Sequence, residues 1–175
     1  GQAFGVTTKG RIVCRRGVTP ANSFGTGWRR LSSPRNIKVT RVSAGAKVLF
    51  VDARHRLLVR VGGHGGGVGT GTRVVKGLRQ VPVLAAASGD CALVGAPGRI
   101  PVWLVKRTGI RDAYFGTMSW WSRGGWTQRP VSTGGSWLVD IAVGGMGGTV
   151  VALNSRGTCY RRDGISNAVP QGTAW

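Results

Sequence analysis

Gly17-Val18, followed by Gly25-Thr26-Gly27-Trp28, returns at the end of the chain as Gly164-Ile165 with Gly172-Thr173-Ala174-Trp175. A further copy reads Gly109-Ile110, Gly116-Thr117 and Trp120, and in each copy the leading Gly stands eleven positions before the Trp. A degenerate copy opens at Gly62 and carries Arg73 at the Trp position. The repeat ends therefore fall near residues 28, 73, 120 and 175. Self-similarity at a period of roughly forty to fifty residues marks a solenoid or a propeller before any other architecture.

Upstream of the copies, two short apolar segments face each other across a turn. Phe4-Gly5-Val6 and Arg11-Ile12-Val13-Cys14 flank Lys9-Gly10; Val48 to Val51 and Leu57-Leu58-Val59 flank Ala53-Arg54-His55; Val150 to Leu153 and Thr158-Cys159-Tyr160 flank Asn154 to Gly157. Runs this short, rich in β-branched and aromatic residues and bounded by Gly, Asn and Asp, predict hairpins. With 31 Gly in 175 residues, hardly any window keeps a 3.6-residue period long enough for a helix. The pattern predicts an all-β array of blades.

Tyr160-Arg161-Arg162-Asp163-Gly164-Ile165, Val105-Lys106-Arg107-Thr108-Gly109-Ile110 and Cys14-Arg15-Arg16-Gly17-Val18, each followed by Gly-Thr and Trp, resemble the tectonin repeat. The companion phrase of that repeat, Gly-x-Leu-x-x-Val before an inner strand, is matched by Gly77-Leu78-Arg79-Gln80-Val81. The resemblance covers nearly the whole chain. It implies one tectonin-like β-propeller region over 1–175, built from four-stranded blades, with about four blades of a five- or six-bladed ring represented. The chain opens on a hairpin with no inner strand before it and closes on Trp175, so further blades, an edge partner or oligomerisation are expected to complete the ring. The sequence departs from the pattern at Arg73, at the extra residue between Thr117 and Trp120, at His55 in place of the hairpin Gly, and at Pro97 to Pro101, read as a stretched third hairpin. Gly62 to Gly67 reads as a blade connection, with no dinucleotide-binding fingerprint.

Charge is the second strong signal. There are 25 Lys and Arg against five acids, a formal charge of +20, far beyond what solubility needs. Residues 1 to 79 carry most of the basic residues and a single acid, Asp52. A surface so self-repelling fits a polyanion: RNA or DNA phosphate, an acidic filament such as tubulin, or an anionic lipid surface. Arg outnumbers Lys twenty to five, which suits bidentate contact with phosphate or carboxylate. The polyanion candidates are Arg15, Arg16, Arg29, Arg30, Arg35, Lys38, Arg41, Arg54, Arg56 and Arg60. The even spacing of Arg54, Arg56 and Arg60 lets them share one strand face. No recognition helix, zinc finger or aromatic-basic RNA signature indicates sequence-specific readout.

Trp28, Trp120 and Trp175 read as blade-packing core residues. Tectonin relatives include lectins that stack aromatic rings on sugars, so the resemblance makes Trp121, Trp126 and Trp137 glycan-binding candidates. Catalysis has little to work with: two His, five scattered Asp and no Glu offer no paired groups of tunable pKa. No enzyme and no cofactor are expected. Cys14, Cys91 and Cys159 stand far apart without metal-ligand spacing, so no metal is expected either. Cys14 and Cys159 read as half-buried hydrophobes. An odd cysteine count and the absence of an Asn-x-Ser/Thr acceptor argue against secretion, and no apolar run approaches transmembrane length.

Taken together these features predict a non-enzymatic interaction module. It is expected to be an architectural subunit docked on RNA or tubulin, among neighbouring protein subunits, in an intracellular cytoskeletal or organellar assembly. The alternative is a tectonin-type lectin, which would be secreted.

Overall fold

The computed structural model of the chain describes residues 1–33, 36–45, 47–61, 69–75, 78, 82–88, 99–106, 113–119, 127–131, 137–144, 149–166 and 168–175. The strands among these described residues form four antiparallel sheets. The first holds β1 (Gln2–Val6), β2 (Ile12–Arg16) and β3 (Arg29–Arg30). The second holds β4 (Val39–Ala44), β5 (Val48–Asp52), β6 (Leu57–Val61) and β7 (Gly71–Val74). The third comprises β8 (Val83–Ser88), β9 (Arg99–Lys106), β10 (Ala113–Ser119) and β11 (Thr127–Val131). The fourth comprises β12 (Leu138–Gly144), β13 (Thr149–Asn154) and β14 (Cys159–Arg162), extended by an isolated bridge from Asp163 to Ala174. Strands in each sheet follow chain order, so every sheet is an up-and-down meander.

Inner strands β4, β8 and β12 neighbour one another in that order, and the second strand of each blade faces the inner strand of the next: β1 on β4, β5 on β8, β9 on β12. Radial repetition of meanders around an axis is a β-propeller, as the repeats predict. Among the described residues the first sheet holds three strands, with β1 in the second-strand place.

The core lies between blades. Side chains alternate across a strand, so β5 sends Val48 and Phe50 toward the first blade, where they meet Ile12, Val39 and Leu58, and Leu49 and Val51 toward the third. β9 does the same: Val102 and Leu104 join the cluster shared with the second blade, Trp103 and Val105 the cluster shared with the fourth. Burial on both faces is why Val48 to Val51 and Val102 to Val105 read as unbroken apolar runs rather than alternating ones.

Two devices repeat from blade to blade. A bulge follows the first residue of β4, β8 and β12, leaving Thr40, Leu84 and Val139 out of register. The hairpin between second and third strands closes on a residue with positive φ: Gly10 (φ 72°), His55 (φ 59°) and Gly157 (φ 84°). The carbonyls of Gly10 and His55 accept hydrogen bonds from Val39 and Val83, the first residues of the following inner strands, at 3.0 and 2.8 Å. Those bonds fasten the first blade to the second and the second to the third.

The register corrects the reading of two copies. Thr26, Thr70 and Thr173 each donate a backbone hydrogen bond to the equivalent third-strand residue, Arg16, Val61 and Asp163. Gly69-Thr70-Gly71-Thr72 is therefore the second Gly-Thr phrase, and Thr72, not Arg73, stands where Trp28 and Trp175 stand. In the third blade Val105 pairs with Ala113 as Val51 pairs with Leu57, so Gly116-Thr117 lies inside β10 rather than after it. Gly109 falls between β9 and β10, outside the described residues, and Pro101 is a β9 residue rather than part of a hairpin.

Candidate functional site

Three of the arginines turn out to hold the fold together. Arg15, Arg60 and Arg162 occupy one position, two residues before Gly17, Gly62 and Gly164. Arg15 Nη1 donates to the Phe24 carbonyl at 2.8 Å; Arg162 donates to the carbonyls of Gln171 and Gly172 at 2.9 and 3.1 Å. Arg60 donates to Gly69 O, Thr72 Oγ1 and, across to the first blade, Ser32 O at 2.7 Å. The carbonyls belong to the turns where Gly25, Gly69 and Gly172 take positive φ. Each guanidinium pins the loop between third and fourth strands. Two also lie over the repeated Trp: Arg15 on Trp28 at 4.9 Å and Arg162 on Trp175 at 5.4 Å from the ring centroids. Where Thr72 replaces the Trp, a hydrogen bond replaces the cation–π contact. Burial pushes the Arg60 and Arg162 pKa values down, desolvation being the main cause.

Arg60 is thus removed from the polyanion candidates, being only 2% exposed, and the expectation that Arg54, Arg56 and Arg60 share a face fails. Arg54 sits in the hairpin turn, Arg56 is held by Asp52, and Arg60 points into the loop clamp. Arg41 reaches Asp140 at 2.5 Å, on the wall of a cavity of about 260 Å³ between the three inner strands. Arg16, Arg29 and Arg30 are exposed. Arg29 and Arg73 occupy equivalent outermost-strand positions, opposite Cys14 and Val59. Arg35, Trp120, Trp121 and Trp126 lie outside the described residues. Trp28 is 49% exposed, so it covers Arg15 rather than filling the core. The Trp that does fill the core is Trp103, against Phe115 and Trp175 at 5.0 and 6.4 Å between centroids. Cys14 is buried, but Cys159 is exposed.

The turns between second and third strands bring together what the sequence leaves scattered. Thr7-Thr8-Lys9-Gly10-Arg11, Asp52-Ala53-Arg54-His55-Arg56 and Asn154-Ser155-Arg156-Gly157-Thr158 share one pattern of backbone hydrogen bonds. The first side chain of each caps the turn: Asp52 Oδ1 accepts from the Arg54 and Arg56 amides at 3.0 and 2.8 Å, Asn154 Oδ1 from Arg156 and Thr158 at 2.9 and 2.8 Å, and Thr7 Oγ1 from Arg11 at 3.1 Å. The third position is basic in all three, and Lys9, Arg54 and Arg156 are all exposed. Exposed Lys38 leads into β4 on the same end: its carbonyl accepts from the Ala53 amide at 2.8 Å, and a Cβ on Gly10 would strike its Cγ. Trp137, the equivalent leader of β12, is 52% exposed, and its carbonyl accepts from Ser155 beside Arg156 at 2.8 Å.

Lys9, Lys38, Arg54, Arg156 and Trp137 thus share the hairpin-turn end of the propeller. The described acids do nothing to neutralise them. Asp52, Asp140 and Asp163 are already paired with Arg56, Arg41 and Arg161. Of the five cations and aromatics, sequence reading singles out Lys38, Arg54 and Trp137 but misses Lys9 and Arg156. The signal was available: a basic residue immediately before each turn Gly or its His55 substitute.

Two lysines are buried instead. Lys47 and Lys106 are 3% and 8% exposed, and desolvation holds both pKa values down. Lys106 Nζ sits 3.8 Å over the Tyr114 ring.

Fold and site define a β-propeller with one basic end. A family model described as Hyd_WA, a propeller, matches residues 2–31, which hold the first blade. Among solved structures the chain is similar to a catalytically inactive variant of virginiamycin B lyase from Staphylococcus aureus crystallised with quinupristin. The identity is 13% and the TM-score 0.43, with 98% of this chain and 57% of that one covered. This chain therefore spans less than two thirds of that structure's length. No curated protein matches it. Among the described residues, no helix is long and apolar enough to cross a membrane.

Proposed function

We propose that this propeller is a non-enzymatic interaction module that docks, through its hairpin-turn end, on an acidic polymer within a larger assembly. The carrying observation is the repetition of an exposed cation at one register position, Lys9, Arg54 and Arg156, on an end where the one described acid, Asp52, is held by Arg56. Solvated charges scattered for solubility have no reason to recur at the blade period. The scarcity of acid-base groups, two His and five Asp among 175 residues, supports a binding role over a catalytic one.

The tectonin-type lectin reading keeps one observation in its favour, the half-exposed Trp137, which offers a ring for sugar stacking. Salt separates the two readings. Retention on immobilised RNA, tubulin and a glycan array is measured at about 50 and 300 mM salt. Four phosphate contacts would weaken single-strand capture roughly 100-fold across that range through counterion release, whereas stacking and neutral hydrogen bonds would barely respond. Salt-insensitive capture by one glycan class, with nothing on the polymers, makes the protein a lectin and overturns the proposal.

A further inference from the structure

We infer that the hairpin-turn end binds a single strand of nucleic acid, its phosphates on Lys9, Lys38, Arg54 and Arg156 and a base on Trp137. This deepens the polyanion reading and rests on it. Three observations select a single strand over an acidic protein or a duplex.

First, the cations are arranged as a track and not a cluster. Lys9, Lys38 and Arg54 follow one another across the first two blades through the Gly10, Lys38 and Ala53 contacts, and Arg156 continues the same register position in the fourth. A flexible polyanion can reach cations spread over the first, second and fourth blades, whereas a rigid acidic surface would meet few of them.

Second, the track includes an aromatic platform. Trp137 is 52% exposed although its chain neighbour Leu138 is fully buried, and it is tied through its carbonyl to the turn that presents Arg156. Cations with an exposed ring beside them are the general arrangement for binding unpaired bases, because every base has a π-face to stack. A duplex hides those faces in its own stack.

Third, the other exposed large aromatics among the described residues lie on the far side. Phe24 is 78% exposed and Trp28 49%, but both belong to the loop between β2 and β3, at the opposite end of those strands. The hairpin-turn end has its own ring.

The test uses the whole chain and fluorescence anisotropy with three labelled probes: a 20-nucleotide single-stranded RNA, the same sequence as a duplex, and heparin. The variants are the triple Lys9→Gln, Arg54→Gln and Arg156→Gln; Trp137→Ala; Trp137→Phe; and, as a control elsewhere on the surface, Arg29→Gln with Arg73→Gln. Unchanged melting temperatures certify each fold. Losing three contacts is expected to lower the salt slope for single-stranded RNA by about 2, while the outer-strand control leaves it near wild type. Trp137→Ala is expected to weaken single-stranded RNA by about 5- to 150-fold, with less than about a 2-fold effect on heparin, and Trp137→Phe to restore most of the loss. Equal affinity for all three probes, lost alike in the triple variant and untouched by Trp137→Ala, would leave the basic end a general polyanion surface and overturn the single-strand inference. Salt-sensitive binding to none of the probes would overturn the polyanion reading as well.

Discussion

Arg60 shows how one residue type carries opposite roles in this chain. By composition it is one of twenty arginines and by spacing a partner of Arg54 and Arg56, yet it is buried and donates to Ser32, Gly69 and Thr72. Replacing it with Met leaves those acceptors without donors inside the protein, a loss of about 2–4 kcal/mol. Arg16→Gln, at the exposed side chain next to the clamping Arg15, is expected to stay within about 0.5 kcal/mol. Urea midpoints of the two variants check the contrast, and equal midpoints would refute the clamp. Nothing in the sequence distinguishes a clamping Arg from a solvated one except its place two residues before the repeated Gly. That place was visible but was read as charge. Trp28 and Trp175 were legible as a repeated position, but their packing on Arg15 and Arg162 was not.

At the scale of elements, hairpins were the legible part. Phe4 to Cys14, Val48 to Val59 and Val150 to Tyr160 all fold as read, because short β-branched runs meeting at a turn closed by Gly10, His55 or Gly157 have few alternatives. In the third repeat Gly116-Thr117 belongs to β10 and not to the loop after it, which the phrase alone does not reveal. Strand pairing, a non-local property, fixes the register there. The repeated turn carries its own prediction. Asp52 accepts two backbone amides and pairs with Arg56 at 2.6 Å, so Asp52→Ala removes a buried cap and is expected to cost about 2–3 kcal/mol. Asp52→Asn, which keeps the acceptor as Asn154 does in the fourth blade, is expected to recover about half. Thermal melts measure both; an Asn variant as unstable as the Ala one would show that the Arg56 ion pair, not the amide cap, holds the turn.

For the whole molecule, net charge of +20 pointed to a polyanion but not to a surface. The sequence-derived candidates are dispersed over the loop clamp, the axial cavity, the outermost strands and the hairpin-turn end, because chain proximity says little about which end of a blade a residue reaches. Folding sorts them: acids Asp52, Asp140 and Asp163 consume Arg56, Arg41 and Arg161, the clamp consumes Arg15, Arg60 and Arg162, and the turn end keeps Lys9, Lys38, Arg54 and Arg156 in solvent. The most direct measurement is residue-resolved footprinting of the intact chain with and without single-stranded RNA, acetylating lysines and modifying arginines with phenylglyoxal, read by mass spectrometry. Protection is expected at Lys9, Lys38, Arg54 and Arg156, with Arg16, Arg29 and Arg73 reacting at unchanged rates. Protection of Arg16, Arg29 and Arg73 with the turn residues still reactive would contradict the account.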